Sequence, residues 1–133
     1  MGTEGSATKA TDRTQVGLPD STDDLLKELR SKTHWFRDEV DVYRVGVTIA
    51  LARGLQPRKD EVDSGYITKF SVQTLDPDGD LRLLIASLAP DYADTPYRWA
   101  QRLANKGVHY LHNEIVVKGR SIAEVLGAVE QVG

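Results

Sequence analysis

The sequence contains no cysteine among its 133 residues. Without thiols the chain forms no disulfide, binds no zinc or iron–sulfur cluster through thiolates and has no cysteine nucleophile. It also lacks an apolar run long enough to cross a bilayer or to form the core of a secretory signal peptide. These absences predict a soluble cytoplasmic protein that does not associate with membranes.

Positive charge is also scarce, because 20 acidic residues outnumber 17 lysines and arginines and give a formal net charge of −3. A protein that binds nucleic acid over its whole surface needs an excess of positive charge. Only a local basic face could therefore bind DNA in this chain.

Catalytic sequence motifs are missing as well. The chain has no GxxxxGK[ST] phosphate loop, no GxSxG nucleophile elbow, no HExxH zinc motif and no GxGxxG dinucleotide fingerprint. We therefore predict a non-enzyme without catalytic residues, cofactor or metal.

The chain divides into a polar start and an apolar remainder. Residues 1–20 are mostly Gly, Ser, Thr and charged residues, a composition typical of disordered segments. From residue 21 onward, Leu, Val, Ile and Ala are frequent enough to bury one core. We predict a disordered leader over residues 1–20 and a single helical domain over residues 21–133.

Two helices are predicted in the first half of this domain. The first covers residues 21–32 and starts with Ser21 and Asp24, an approximate capping box. The second covers residues 38–53, contains no proline and is followed by Gly54, the residue type that favours a left-handed conformation after a helix. Apolar side chains cover most of its circumference, so we predict that it is the central core helix.

Three more helices are predicted in the second half. Asp76 caps one that ends before Pro90. Its expected core residues are Leu81, Leu83, Leu84, Ile85 and Leu88. The longest helix covers residues 97–117, and Ser121 with Glu124 forms a capping box for the last one.

Glycines lie inside two of these helices. Glycine disfavours a helix interior by about 1 kcal/mol relative to alanine. A close crossing with another helix would explain Gly46 in the central helix. Gly107 is expected to be a weak point of the longest helix.

One segment has the pattern of a strand. Within residues 66–74, Phe70 and Val72 alternate with polar residues. A lone strand needs a partner, so it either pairs across a dimer or the segment is an irregular helix. The predicted fold class is mainly α, a compact bundle of about five helices that leaves open one short strand or hairpin.

Three basic residues recur at every fourth position of the longest helix and therefore lie on one of its faces. Residues 95–121 contain five bases and one acid, a net charge of +4. Such a face can follow the phosphates of DNA, and it can equally be a solvated helix face or contact an acidic protein. The candidate nucleic-acid or partner-binding residues are Arg98, Arg102, Lys106, His109, Lys118 and Arg120.

Two patterns resemble metal sites without meeting their requirements. His109 and His112 are three residues apart, a spacing that can place two imidazoles near one ion, but no third ligand is evident. They are better interpreted as surface or boundary histidines that titrate near neutrality. Residues 76–80, DPDGD, have their glycine two positions too early for an EF-type calcium loop, so helix capping is the preferred interpretation.

Two motifs carry a resemblance to a known family. Residues 36–54, FRDEVDVYRVGVTIALARG, pass from an aromatic residue through an acidic D-V-aromatic step into a helix rich in Ala, Leu and Gly. Residues 99–111, WAQRLANKGVHYL, contain most of a Y-A-N-x-G-x-x-x-L motif. The matching residues are Ala104, Asn105, Gly107 and Leu111, with Leu103 in place of the aromatic residue. In both motifs the chain resembles small proteins of bacterial Dnd-type defence loci.

This resemblance implies an accessory protein of a phage-defence or DNA-modification system that works through DNA or partner subunits. Asn105 and Gly107 would then shape the helix rather than catalyse a reaction. Our leading hypothesis is a non-enzymatic accessory or adaptor protein that binds a partner protein, with DNA as a second ligand and a homo-oligomer left open. The alternative is a small homodimeric DNA-binding transcriptional regulator.

Overall fold

The computed structural model describes residues 11–58, 61 and 63–132. In this part of the chain, six α-helices surround one core and a two-stranded antiparallel sheet lies against them. The elements are β1 Gln15–Pro19, α1 Asp20–Lys32, α2 Glu39–Arg53, β2 Tyr66–Ser71, α3 Val72–Leu75, α4 Asp80–Leu88, a 3-10 turn Pro90–Tyr92, α5 Pro96–His112, a π-helical turn Asn113–Val117 and α6 Ile122–Val132. The prediction of a mainly α fold is confirmed, and the short strand that it left open belongs to this antiparallel sheet. None of the described helices is long and apolar enough to cross a membrane.

The partner of the predicted strand lies in the segment that composition marked as a leader. Gln15–Pro19 pairs with Tyr66–Ser71, with Val16 opposite Phe70. Because β2 finds its partner within the chain, pairing across a dimer is not required. Val16 and Leu18 are almost fully buried. The prediction of disorder over residues 1–20 is therefore wrong for its second half, and residues 1–10 lie outside the described residues.

Strand β1 is attached to the helices through the backbone of Gly17. The Gly17 N–H donates to the Gln101 side chain at 3.1 Å, and the Gly17 carbonyl accepts from the Tyr43 hydroxyl at 2.9 Å. The register shifts between Val16 and Gly17, and a Cβ atom at Gly17 would overlap the carbonyl group of Ile67. Glycine is thus required where β1 approaches β2 most closely.

Val16→Thr tests whether β1 belongs to the core. The two side chains have similar shapes, so the main change is a hydroxyl placed where Val16 is fully buried. We expect the free energy of unfolding to fall by about 1.5 kcal/mol, measured by urea denaturation. The matched control Thr14→Val lies two residues away at an exposed position and should change stability by less than about 0.5 kcal/mol. Equal small effects of both substitutions would show that β1 does not contribute to stability.

Helix α1 begins one residue before the predicted start and without the predicted capping box. Its N-cap is Pro19, and no side chain caps it. The chain enters α1 directly from β1, so strand geometry rather than a polar cap sets this helix start. Leu26 and Leu29 of α1 are fully buried in the core.

Helices α2 and α5 cross closely at the centre of the fold. A Cβ atom added at Gly46 would lie 3.2 Å from Cγ2 of Val108, and one added at Gly107 would overlap the carbonyl group of Gly46. The predicted close crossing at Gly46 is confirmed. Gly107 does not interrupt α5, because it is the opposite half of the same contact.

The predicted caps of the later helices are partly confirmed. Helix α4 starts at Asp80 rather than at residue 77, after Gly79 with a φ of 76°. Asp76 still caps it, because its carboxylate accepts from the N–H groups of Leu81 and Arg82, both at 2.9 Å. Before α6, Ser121 and Glu124 exchange the two reciprocal hydrogen bonds of a capping box, as predicted.

Candidate functional site

Arg102, at the centre of the predicted basic stripe, lies in the interior. Only 8% of the residue is exposed. Its guanidinium forms a two-pronged ion pair with Asp63, with Nε at 3.0 Å from Oδ1 and a terminal nitrogen at 3.4 Å from Oδ2. This charge joins α5 to the segment that precedes β2, and the carboxylate neutralises it.

Arg98 and the start of α5 are bound by the residues before β1. The Arg98 guanidinium donates to the Thr11 carbonyl at 3.0 Å. The backbone N–H groups of Tyr97 and Arg98 donate to the Asp12 carboxylate at 3.1 and 2.9 Å. Thr95, the N-cap residue of α5, makes no capping hydrogen bond through its side chain. A carboxylate from a distant part of the chain caps this helix, which no local sequence signal indicates.

The two candidate bases after α5 share one acid. Lys118 lies 2.8 Å from Oε2 of Glu114, and Arg120 lies 2.5 Å from its Oε1. Hydrogen bonds from Lys118 and then Arg120 hold the pKa of Glu114 below its usual value of 4.5. Glu114 is the only acid of residues 95–121, and both neighbouring cations are engaged by it.

Lys106 differs from the other lysine and arginine candidates, because it is exposed and forms no ion pair with any described residue. The stripe therefore does not present three free cations to the solvent. That the candidate residues bind a nucleic acid or a partner stays a prediction. The free charge available to them is smaller than the sequence count of +4 indicates.

His109 belongs to a polar cluster between α1 and α5. The buried Thr22 hydroxyl lies 2.5 Å from Oδ1 of Asn105 and 3.0 Å from Nε2 of His109. His112 pairs separately with Glu28, at 2.8 Å from Nε2 to Oε1. The two histidines thus have different partners on α1. Among the described residues, no three potential ligands are arranged to hold a metal ion.

His109 predicts an acid-sensitive contribution to stability. Its pKa is lowered from the usual 6.5, first by partial withdrawal from water and then by repulsion from His112 and Lys106. The folded state binds a proton at His109 less readily than the unfolded state does. The neutral imidazole therefore contributes to stability above about pH 6.5, and this contribution is lost as the pH falls through the lower folded pKa. When the pH falls from about 7.5 to about 5.5, we expect the His109→Gln variant to lose less free energy of unfolding than the unsubstituted chain, measured by urea denaturation. Parallel pH dependences of the two proteins would contradict this assignment.

Helix α4 has an apolar surface that the sequence did not separate from the core. Leu81 and Ile85 are buried as predicted. Leu83 and Leu88 are 66% and 59% exposed, so their assignment to the core is wrong. Leu84 is half-buried beside them. Six of the nine residues of this short helix are apolar, more than one buried face requires, so its sequence does not indicate which of them lie uncovered.

Two depressions lie beside α4. The first, of about 360 Å³, is lined by Arg44 and Thr48 of α2 and by Leu84 of α4. A second depression, of about 350 Å³, lies between Pro57 and Leu88. Asp78 and Asp80 line the first depression. These two depressions, called the α2–α4 groove below, combine the exposed Leu88 with the exposed carboxylates of Asp78 and Asp80, whereas the exposed Leu83 lines neither depression.

Comparison of the chain with models of protein families, with curated proteins and with solved structures finds no match.

Proposed function

We propose that this chain is a non-enzymatic accessory or adaptor protein that binds a partner protein, in a bacterial phage-defence or DNA-modification system of the Dnd type. The resemblance of residues 36–54 and 99–111 supports the setting. The observation that supports protein binding is the exposure of large leucines on α4, while most of the candidate DNA-binding cations are engaged within the chain.

The engaged cations favour a protein over DNA as the main ligand. A phosphate that binds Arg102 would have to displace Asp63, and one that binds Arg120 would have to displace Glu114. Each displacement would leave a carboxylate unpaired close to the DNA backbone, where it repels phosphates. DNA is therefore the secondary ligand in this proposal, contacted chiefly through Lys106.

The exposed leucines point to a protein surface as the ligand. Leu83 and Leu88 lose water on contact with another apolar surface, and a fully buried leucine contributes about 1.5–3 kcal/mol. A few such side chains carry most of the affinity of a typical protein interface. The basic stripe offers less, because Arg102 is paired with Asp63 and Arg98 is held by the Thr11 carbonyl, which leaves Lys106 as its exposed charge.

Co-purification with defined partners tests this function. The tagged chain is co-expressed with each protein encoded by the neighbouring genes, treated with nuclease and purified at about 0.5 M salt, where surface charge is screened. We expect one of these proteins to co-elute in a fixed ratio. If none does, the adaptor function is wrong.

Fluorescence anisotropy with labelled duplex, nicked and single-stranded DNA tests the secondary ligand. We expect weak binding that falls with salt and that Lys106→Glu reduces further. Arg102→Glu should instead lower stability, because it leaves Asp63 facing a second carboxylate. Tight binding that Lys106→Glu leaves intact would show that the DNA surface lies elsewhere.

A further inference from the structure

We propose that the α2–α4 groove is the docking site for a cationic amphipathic helix of the partner protein. This inference rests on the proposed adaptor function and specifies its surface and the chemistry of its ligand. Three features support it: the apolar floor of the groove, the acidic charge at its rim, and the spacing of the leucines along α4.

The floor of the groove is apolar and firmly supported. Pro57, Leu88 and Tyr92 are among the residues that line the second depression. The ring of Tyr92 stacks on the buried Trp99, with ring centroids 3.6 Å apart and planes 6° apart. A proline and a stacked aromatic ring lose little conformational entropy when a ligand binds, so this depression is a preformed pocket for an apolar side chain.

The rim of the groove carries negative charge. Asp78 and Asp80 line the first depression, are largely exposed and form no ion pair with any described residue. Arg44, the cation of this depression, donates to the Leu75 carbonyl at 2.7 Å and lies 3.4 Å from Asp41. The free charge of the rim is therefore acidic, and its complement is a lysine-rich or arginine-rich segment.

The spacing along α4 suits a helical ligand. Leu84 lines the first depression and Leu88 lines the second, one helical turn apart, which is about 6 Å along the axis. Apolar side chains at positions i and i+4 of a docked helix have the same separation. One face of such a helix can fill both depressions while its basic residues reach the rim.

The occupant must come from another protein. Residues 1–10, MGTEGSATKA, contain a single lysine and no large apolar residue after Met1, so this segment lacks the required pattern. In a second copy of the chain, Arg102, Lys118 and Arg120 are held by carboxylates of their own molecule. Lys106 is the one candidate cation of a second copy that is exposed and forms no ion pair with a described residue, and a single charge does not make the lysine-rich or arginine-rich segment that the rim would attract.

The test uses a fluorescein-labelled peptide of about 14 residues, with leucines at helical spacing and lysines elsewhere, and measures its anisotropy with the full chain. We expect Leu88→Ser and the double substitution Asp78→Lys, Asp80→Lys each to weaken binding about 10-fold or more. A peptide with glutamates in place of lysines should bind about 10-fold more weakly than the lysine peptide.

Matched controls separate the groove from general attraction to an acidic protein. Val117→Ser changes an equally exposed apolar residue outside the groove. Asp20→Lys with Asp24→Lys reverses two exposed acids near the start of α1, as the groove variant does near the start of α4. Both controls should change affinity by less than about twofold. Circular dichroism verifies that every variant is folded.

Two outcomes of the peptide titrations would overturn the docking site: no binding of the lysine peptide, or equal weakening by the groove and control variants. Neither outcome decides the adaptor function, which depends on co-purification with a partner protein. If that partner co-purifies equally well with the Leu88→Ser chain, the function stands and the groove proposal fails.

Discussion

Gly107→Ala is expected to lower the free energy of unfolding by about 3 kcal/mol, although alanine is the better helix former. In an unconstrained helix this substitution would gain about 1 kcal/mol. At Gly107 the new Cβ atom would overlap the carbonyl group of Gly46 and lie 2.7 Å from its Cα. Both atoms are backbone, so relief requires α2 and α5 to separate, and overpacking of this kind outweighs the propensity gain. Urea denaturation measures the difference.

Two other glycines provide the controls. Gly46→Ala meets the Cγ2 atom of Val108 at 3.2 Å, a side-chain contact that can relax, so its cost should be smaller. Gly127 lies in α6 with no atom within 4 Å of an added Cβ, so Gly127→Ala should stabilise the chain by about 0.5–1 kcal/mol. If Gly107→Ala is as stable as Gly127→Ala, the close crossing of α2 and α5 does not exist in solution.

Local signals predicted the central helices well. Asp38 accepts from the Asp41 N–H, and Gly54 adopts a φ of 67°, so both ends of α2 follow from residue type. Gly46 was correctly assigned to a close crossing, because glycine disfavours the interior of a helix and a close approach of another helix explains its presence there. The partner of that crossing was not predictable, because a glycine at position 107 is equally typical of a weak point within a helix.

Strand β1 was not predicted, because the composition of residues 1–20 averages its two apolar residues with the polar residues around them. Val16 and Leu18 are the only aliphatic residues larger than alanine between residues 2 and 20, and they lie among polar residues. Their burial depends on β2, which pairs with them from residues 66–71, and on Tyr43 and Gln101, which bind the Gly17 backbone. Contacts between such distant parts of a chain leave no periodic pattern in one segment.

The candidate site was predicted only in part for the same reason. Spacing placed Arg98, Arg102 and Lys106 on one face of α5, but it does not report what covers that face. Asp63, which pairs with Arg102, and Asp12, which accepts from the backbone N–H groups at the start of α5, lie in irregular segments far away in the sequence. The exposed leucines of α4 were misassigned because hydrophobicity predicts burial and gives no signal for an uncovered face.

Asp76→Ala is expected to destabilise the chain by about 3 kcal/mol and to loosen the start of α4. The Asp76 carboxylate accepts three hydrogen bonds, from the N–H groups of Leu81 and Arg82 and from the Tyr97 hydroxyl at 2.8 Å, while only 8% of the residue is exposed. Alanine removes both acceptor oxygens and leaves the three donors without this partner, each at a cost of about 1 kcal/mol. Urea denaturation gives the total loss in the free energy of unfolding. Hydrogen exchange of the Leu81 and Arg82 amides shows whether the loss lies at the start of α4.

Tyr97→Phe separates the link to α5 from the helix cap. It removes one of the three hydrogen bonds and should cost about 1 kcal/mol, with the α4 amides still protected. Burial and then the hydrogen bond to Asp76 raise the pKa of Tyr97 to about 12, so its contribution is present below about pH 10 and lost as the pH rises through 12. The phenylalanine variant should lack that alkaline loss. If Asp76→Ala and Tyr97→Phe destabilise the chain equally, Asp76 only anchors the tyrosine and does not cap α4. The first turn of α4 carries one side of the α2–α4 groove, and its order would then have another cause.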